Sequence, residues 1–475
     1  MTHIVRQQIL EVEFDGAEAE APPLQRRLQR LCYDHLMPAI EQALDKHSIP
    51  GQLLYLERLE LDVGEMLLER LELDLPESLA RALERSLREE TAAAQAGDAV
   101  NVTLQQGSAE AFLQFLETGM LPWWFRLPSG MNFEQVLLEL LASKKRSESG
   151  SDKVATALPR ILASPLVRRR LLLQFSQDFL STLLALVSPQ GWEAVNAFLV
   201  KLDRLAIPTT AGNIAAILWE EAFTAVARGK EVAERDLTAA VWLSLPPDTQ
   251  KSAAPQWEVL WPGISAPVSD GVAEPTDSAS GKQRDKVSNQ ELAFTGTHAA
   301  LRLSPQSEAE AGIYLDNAGL VLLHPFLPQL FRALQVARDE ELLLPERALA
   351  LLHFLATGSE VAPEYQLMLA KVLCGIDLNT TVRSRQELAE AERKECEALL
   401  EAAIHHWGAL GNSSANALRG TFLLRPGKLT LRSGAGEWLL QVEASGYDIL
   451  LGQLPWGISM VKLPWMERML RVEWL

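Results

Sequence analysis

Five side chains in the C-terminal part of the chain have the donor chemistry of a metal centre: His353, Cys374, Cys396, His405 and His406. Thiolates and imidazoles brought into a tetrahedral group would make a zinc site. Their spacing does not gather them, because there is no Cys-x-x-Cys pair and isolated histidines on helices usually pack or face solvent. Glu392, Glu395, Glu397 and Glu401 could supply carboxylates for acid–base work, but they read as a charged, solvated helix face. Gly427-Lys428-Leu429 lacks the glycine spacing and the hydroxyl follower of a phosphate loop. Gly434-Ala435-Gly436 lacks the third glycine of a dinucleotide fingerprint. Neither His-Glu-x-x-His nor Gly-x-Ser-x-Gly occurs. The expectation is a protein without catalytic, cofactor-binding or metal-binding residues; a metal-dependent enzyme built on the Cys and His set is the competing reading.

The aromatic residues carry more information. Leu-Pro-Trp occurs three times, at Leu121-Pro122-Trp123, Leu454-Pro455-Trp456 and Leu463-Pro464-Trp465. Proline fixes φ and donates no backbone hydrogen bond, so each copy breaks a helix or strand. The tryptophan that follows has a large apolar surface to bury and an N–H that needs a partner. Each copy is therefore a corner with an aromatic anchor, serving either the core or a docking surface. Trp123 and Trp124 in the first copy, and Trp456, Trp465 and Trp474 near the C-terminus, are the candidate partner-docking residues.

The elements around these corners are mostly helical. Ile9 to Phe14 alternates, with Leu10, Val12 and Phe14 on one face and Glu11 and Glu13 on the other, the pattern of a half-buried strand ended by Asp15-Gly16. Leu24, Leu28, Leu31, Leu36, Ile40 and Leu44 then share a helical face. Leu56 to Asp62 is repeated at Leu68 to Asp74, which suggests a hairpin, with a helix as the alternative for the second copy. Residues 1–95 thus read as a small α/β module. Residues 108–245 read as a helical domain of stacked hairpins with no fixed repeat period. Pro, Ser, Ala, Gly, Asp and Lys dominate residues 246–311, a flexible linker and the strongest compositional boundary. Residues 312–475 read as an α+β domain, with helices at about 318–335, 345–356, 363–373 and 385–407. Strands follow at Phe422–Arg425, Lys428–Leu431 and Glu437–Val442 in a small antiparallel sheet. The fold class is mainly α, a multidomain helical array plus linker, with small α+β modules at both ends.

A chain of 475 residues with 48% hydrophobic and 22% charged residues is long enough for several folded domains. Its net charge of −18 disfavours nucleic acid and anionic membrane surfaces as partners. Three scattered cysteines argue against a disulfide framework. No secretory signal and no stretch of about 20 apolar residues is evident, so the expected location is the cytoplasm unless the protein is carried out.

Several stretches together resemble one family, the tape measure proteins of contractile injection systems, the phage-tail-like particles that many bacteria assemble. At the N-terminal end these are His3 to Gln8, Val12-Glu13-Phe14 and Leu59 to Gly64. In the helical region it is Thr118-Gly119-Met120-Leu121-Pro122-Trp123-Trp124. The densest set is C-terminal: Asn317 to Pro328, Leu351 to Gly358, Lys371 to Gly375, Trp407 to Asn412, Leu454 to Ser459 and Leu463 to Met466. The resemblance implies a structural role in fixing the length of the inner tube and its sheath during assembly. It implies inner-tube, hub or baseplate subunits as partners, with copies of the chain itself in the tube lumen, and a place first in the cytoplasm and then inside the released particle. It supplies no catalytic residues. A fully helical chain would reach about 700 Å at ~1.5 Å per residue. With 25 prolines and no sustained heptads, folded domains on a linker fall far short of that limit. An assembly scaffold, chaperone or baseplate adaptor of the same particle is the alternative.

Overall fold

In the computed structural model, the first segments to resolve are helices closed by leucines. The structure describes residues 5, 8–16, 20–47, 52–54, 59–96, 101–128, 130–142, 150–205, 211–264, 309–310, 312–434 and 436–474. These divide into two compact units: Met1–Ala111 with Trp124–Val154, and Phe112–Trp123 with Ala155–Leu475.

In the first unit, Pro22 and Pro23 open the helix Ala21–Leu31, where their missing N–H groups cost nothing. The helices Met37–His47 and Leu71–Ala96 follow. Leu24, Leu31, Leu36, Leu71 and Leu75 close one apolar cluster, and Ala43, Leu83 and Leu87 a second. The expected α+β module is not found here. Ile9–Phe14 and Leu59–Val63 are outside every strand. At Leu59–Val63 the alternation marks which side chains are partly buried, since Val63 packs on the first cluster and Leu59 and Leu61 on the second; in Ile9–Phe14, Phe14 packs on the first cluster while Leu10 and Val12 stay exposed. The surface they meet is a helix pair, which offers no backbone ladder. The second copy of the repeat is helical, from Leu68 into Leu71–Ala96. Among the described residues, the strand pairing in this unit is a three-residue antiparallel ladder of β1 (Gln52–Leu54) with β2 (Asn101–Thr103).

The second unit carries the helices Pro165–Gln174, Gln177–Val187, Pro189–Leu202, Ala211–Ala227, Glu234–Ser244 and Pro247–Leu260. Sharp turns between them are set by Ser176 and Ser188, whose hydroxyls accept from Phe179 N and Gly191 N, both at 3.2 Å. Aromatic rings fill the space between: Phe175 stacks on Phe179 with centroids 4.4 Å apart, and Trp257 lies against Trp242 and Trp261. The helix Pro247–Leu260 occupies the start of the stretch read as linker. Its composition is polar, but Trp257 and Trp261 give it two anchors in the aromatic cluster. The rest of that stretch, 265–308, lies outside the described residues.

Beyond it the same unit continues with β3 (Ile313–Leu315), a 3-10 turn Ala318–Leu323 and the helices Leu327–Ala333, Pro345–Thr357, Met368–Leu373 and Glu390–His406. A two-residue hairpin pairs β4 (Ala337–Arg338) with β5 (Glu341–Leu342). The closing sheet adds β6 (Gly427–Arg432), β7 (Glu437–Val442), β8 (Met460–Val461) and β9 (Leu470–Trp474), in the order β3-β6-β7-β9-β8. It is mixed rather than antiparallel, because β9 runs parallel to β7, with Val472 beside Leu440. Of the expected strands, Lys428–Leu431 and Glu437–Val442 form, while Phe422–Arg425 does not. Phe422 lies in a wide turn, Arg419–Leu423, and its carbonyl lies against Gly319.

That approach is so close that a Cβ at Gly319 would sit 1.6 Å from the Phe422 carbonyl oxygen, a backbone atom. At Gly408, by contrast, a Cβ would have nothing within 4 Å. Gly319→Ala is expected to lower stability by about 3 kcal/mol or more through overpacking, and Gly408→Ala by under about 1 kcal/mol. Chemical denaturation of the two variants measures the contrast.

Candidate functional site

The deepest polar feature is an ionic cluster with no exposure at all. Arg170, on Pro165–Gln174, and Glu364 and Lys371, on the C-terminal segment, are each fully buried. Arg170 Nε donates to Glu364 Oε2 at 3.0 Å and Nη2 to Oε1 at 3.3 Å. Lys371 Nζ donates to Glu364 Oε1 at 2.8 Å and to the Leu378 carbonyl at 2.7 Å. The remaining Arg170 donors reach the Leu116 carbonyl at 2.6 Å and the Asn379 carbonyl at 3.3 Å. Gln174 completes the frame, accepting from Glu364 N at 2.8 Å and donating to the Val382 carbonyl at 2.7 Å. Gly119, at φ +80°, lets the chain pass, since a Cβ there would meet Glu364 Oε1 at 2.6 Å. Two cations share one carboxylate, and burial presses Lys371 below its ordinary pKa against the upward pull of Glu364. All three members are fully buried, and what the arrangement does is fix segments far apart in sequence. Nothing in residue spacing announced it. The available signal was Lys371 standing alone in Met368–Leu373, a run otherwise apolar.

The two proline-hinged tryptophans near the C-terminal end, Trp456 and Trp465, turn their donors inward, and so does Trp474. Trp456 Nε1 donates to the Leu322 carbonyl at 3.0 Å, and its ring meets Phe326 edge to face. Trp465 Nε1 donates to the Leu373 carbonyl at 2.8 Å and stacks on Phe331. Gly375, at φ +65°, permits this second corner, since a Cβ there would meet the Trp465 carbonyl oxygen at 2.7 Å. Trp474 Nε1 donates to Asp448 Oδ2 at 3.0 Å, under the Arg425 guanidinium. Arg425 grips Asp448 with two bonds of 2.9 Å. Burial would raise the Asp448 pKa, but Arg425, the Ser445 N–H and Trp474 outweigh it and hold the carboxyl below its usual range. All three tryptophans are half-buried. Trp123 and Trp124 are half-buried as well, with Trp124 edge-on to Phe125.

The metal-type residues are dispersed. His353 is buried on Pro345–Thr357, where desolvation lowers its pKa to about 4 against a hydrogen bond with the Val361 backbone. Its Nδ1 has no partner. Cys374 is buried with its thiol pushed up by desolvation, and Cys396 is pushed up to about 12 by burial and the neighbouring carboxylates Glu397 and Glu392. His406 Nδ1 lies 2.7 Å from the Ala402 carbonyl. Among the described residues no three His, Cys, Asp or Glu side chains gather as ligands. The carboxylate face read as solvated is partly committed: Glu392 pairs with Arg347, and Glu397 with Arg419 at 2.6 Å.

Residues 2–474 match the family described as contractile injection system tape measure protein. The chain belongs to that family. No curated protein and no solved structure matches it. The tape measure protein is mainly helical, and among its described residues no helix is long and apolar enough to cross a membrane. Two pairs of the stretches that carry the resemblance are in contact, Asn317–Pro328 with Trp456 and Lys371–Gly375 with Trp465, and Gly119 of a third lies against Glu364.

Two outcomes follow for the tape measure protein. Glu364→Gln leaves two buried cations without their anion and is expected to cost about 3–5 kcal/mol, while the triple replacement R170M/E364L/K371M recovers most of that loss; urea unfolding measures both. His353 stays neutral in the folded state to about pH 4. Its contribution is therefore complete above pH ~6.5 and falls away between there and about pH 4, by roughly 3 kcal/mol. Unfolding at pH 7 and pH 5 should show a smaller acid loss in His353→Leu than in the parent.

Proposed function

We propose that this tape measure protein fixes the length of the inner tube, and of the sheath around it, from within the nascent tube, without making or breaking covalent bonds. The family match along nearly the whole chain carries this reading. Inner-tube, hub or baseplate subunits are its partners, with copies of the chain side by side in the lumen. The exposed parts of Trp123, Trp124, Trp456, Trp465 and Trp474 contribute docking surface, their polar ends being committed inside in the three C-terminal cases. Its site of action is the cytoplasm during assembly and the particle afterwards.

How a folded chain measures is a matter of reach. The longest described helix, Leu71–Ala96, has 26 residues and spans about 39 Å. Acting as an extended ruler requires the apolar clusters and the Arg170–Glu364–Lys371 cluster to open on loading. A cluster of buried charges is suited to that, because water solvates its members when they separate, which apolar partners do not enjoy. The same lock favours a second reading, an assembly scaffold or baseplate adaptor that stays folded and leaves the finished particle.

Inserting 40 residues of helix-forming sequence between Ser269 and Asn289 is expected to lengthen particles by about 60 Å on the ruler reading. Electron microscopy supplies the length and mass spectrometry of purified particles the presence of the chain. Unchanged length with the protein missing from the particle establishes the scaffold reading.

A further inference from the structure

We infer that the segment Ile9–Phe14 is a strand held without a sheet, and that it pairs edge-to-edge with a strand of another particle subunit whose side chains alternate basic and apolar. The sequence alternates over six residues with no proline or glycine before Gly16, the length of an ordinary strand. The segment nevertheless joins no ladder, and among the described residues no backbone hydrogen bond engages it. Phe14 alone is anchored, against Leu24, Leu31, Leu71 and their neighbours. Ile9, Leu10 and Val12 stand 69%, 39% and 50% exposed. A run of unpaired amide and carbonyl groups beside exposed branched side chains is the template for strand addition.

The closing sheet of the second unit shows how edges are blunted in this chain. Its outer strands are β3, of three residues, and β8, of two, the latter lying between the corners at Pro455 and Pro464. Ile9–Phe14 has no such protection. Its charges also decide the occupant. Pairing with a second copy in any register that overlaps more than three residues of the segment and keeps like faces together sets Glu11 or Glu13 opposite another acid, and the remaining registers of that length mix the acidic and apolar faces. A second copy is therefore disfavoured, whereas a strand with lysine or arginine opposite Glu11 and Glu13 and apolar residues opposite Leu10 and Val12 satisfies both faces. The inference rests on the proposed function in one respect, that the partner is a tube, hub or baseplate subunit.

The test uses the full chain with each purified inner-tube, hub and baseplate subunit as probe, read by binding affinity and by amide hydrogen exchange at residues 9–14. Val12→Pro removes an N–H at an exposed position that no ladder uses, and the E11K/E13K pair reverses the charge. Circular dichroism confirms that both variants keep the fold. The expected result is binding by one subunit, protection of residues 9–14, and a loss of about tenfold or more in affinity for Val12→Pro and for E11K/E13K. Binding without protection, and with affinities unchanged in both variants, overturns the inference and leaves the function standing. Protection that appears with protein concentration alone also overturns it, by making the occupant a second copy. If no subunit binds the full chain, the inference and the proposed partners fall together.

Discussion

Two cations and one carboxylate, sealed from water, hold the second unit in register. Glu364 accepts from both Arg170 and Lys371, and the two cations also donate to the Leu116, Asn379 and Leu378 carbonyls. Arg170 and Glu364 are 194 positions apart, on opposite sides of the compositionally polar stretch. A break in composition is therefore no break in the fold, since segments 112–123, 155–264 and 309–474 meet at one carboxylate. Such a cluster adds little net stability compared with an apolar one, but it tolerates only one arrangement of its members. The glycine at 119 and the amide of Gln174 serve that arrangement.

The sequence revealed the helices well and the contacts between them poorly. Periodic leucines from Leu24 to Leu44 marked the helices Ala21–Leu31 and Met37–His47, because a packed helix needs an apolar stripe every turn. Alternation read as pairing within the chain misled at Leu59–Val63, where a helix surface receives the inward side chains, and at Ile9–Phe14, where Phe14 packs on helices and Leu10 and Val12 stay exposed. Phe422–Arg425 looked like a strand for the same reason, yet the near-contact with Gly319 needs a turn there. Short strands such as β3 and β8 carry too few residues to show any period. The buried ions were the least visible: Arg168, Arg169 and Arg170 are chemically alike, and only the third is fully enclosed. The tryptophan corners were legible as anchors, while the direction of their N–H groups depends on carbonyls more than 90 positions away for Trp456 and Trp465.

The two C-terminal corners close loops in the same way. Trp456 and Trp465 each give their donor to a main-chain oxygen of a distant segment, so a change in one segment disturbs its counterpart. The Arg425–Asp448–Trp474 group does the same with side chains, joining the residues just before β6, the 3-10 helix Gly446–Gln453 and the final strand.

The order of the closing sheet has a kinetic meaning. Ile313 pairs with Leu429, and Trp438 with Leu470, so the sheet's first strand waits for partners more than a hundred residues downstream. Closing so large a loop costs entropy before any contact repays it, and topologies of this kind mature slowly. On the ribosome, the stretch from β3 onward must emerge almost entirely before its core can consolidate, which leaves the newborn chain pliable until its last strand arrives.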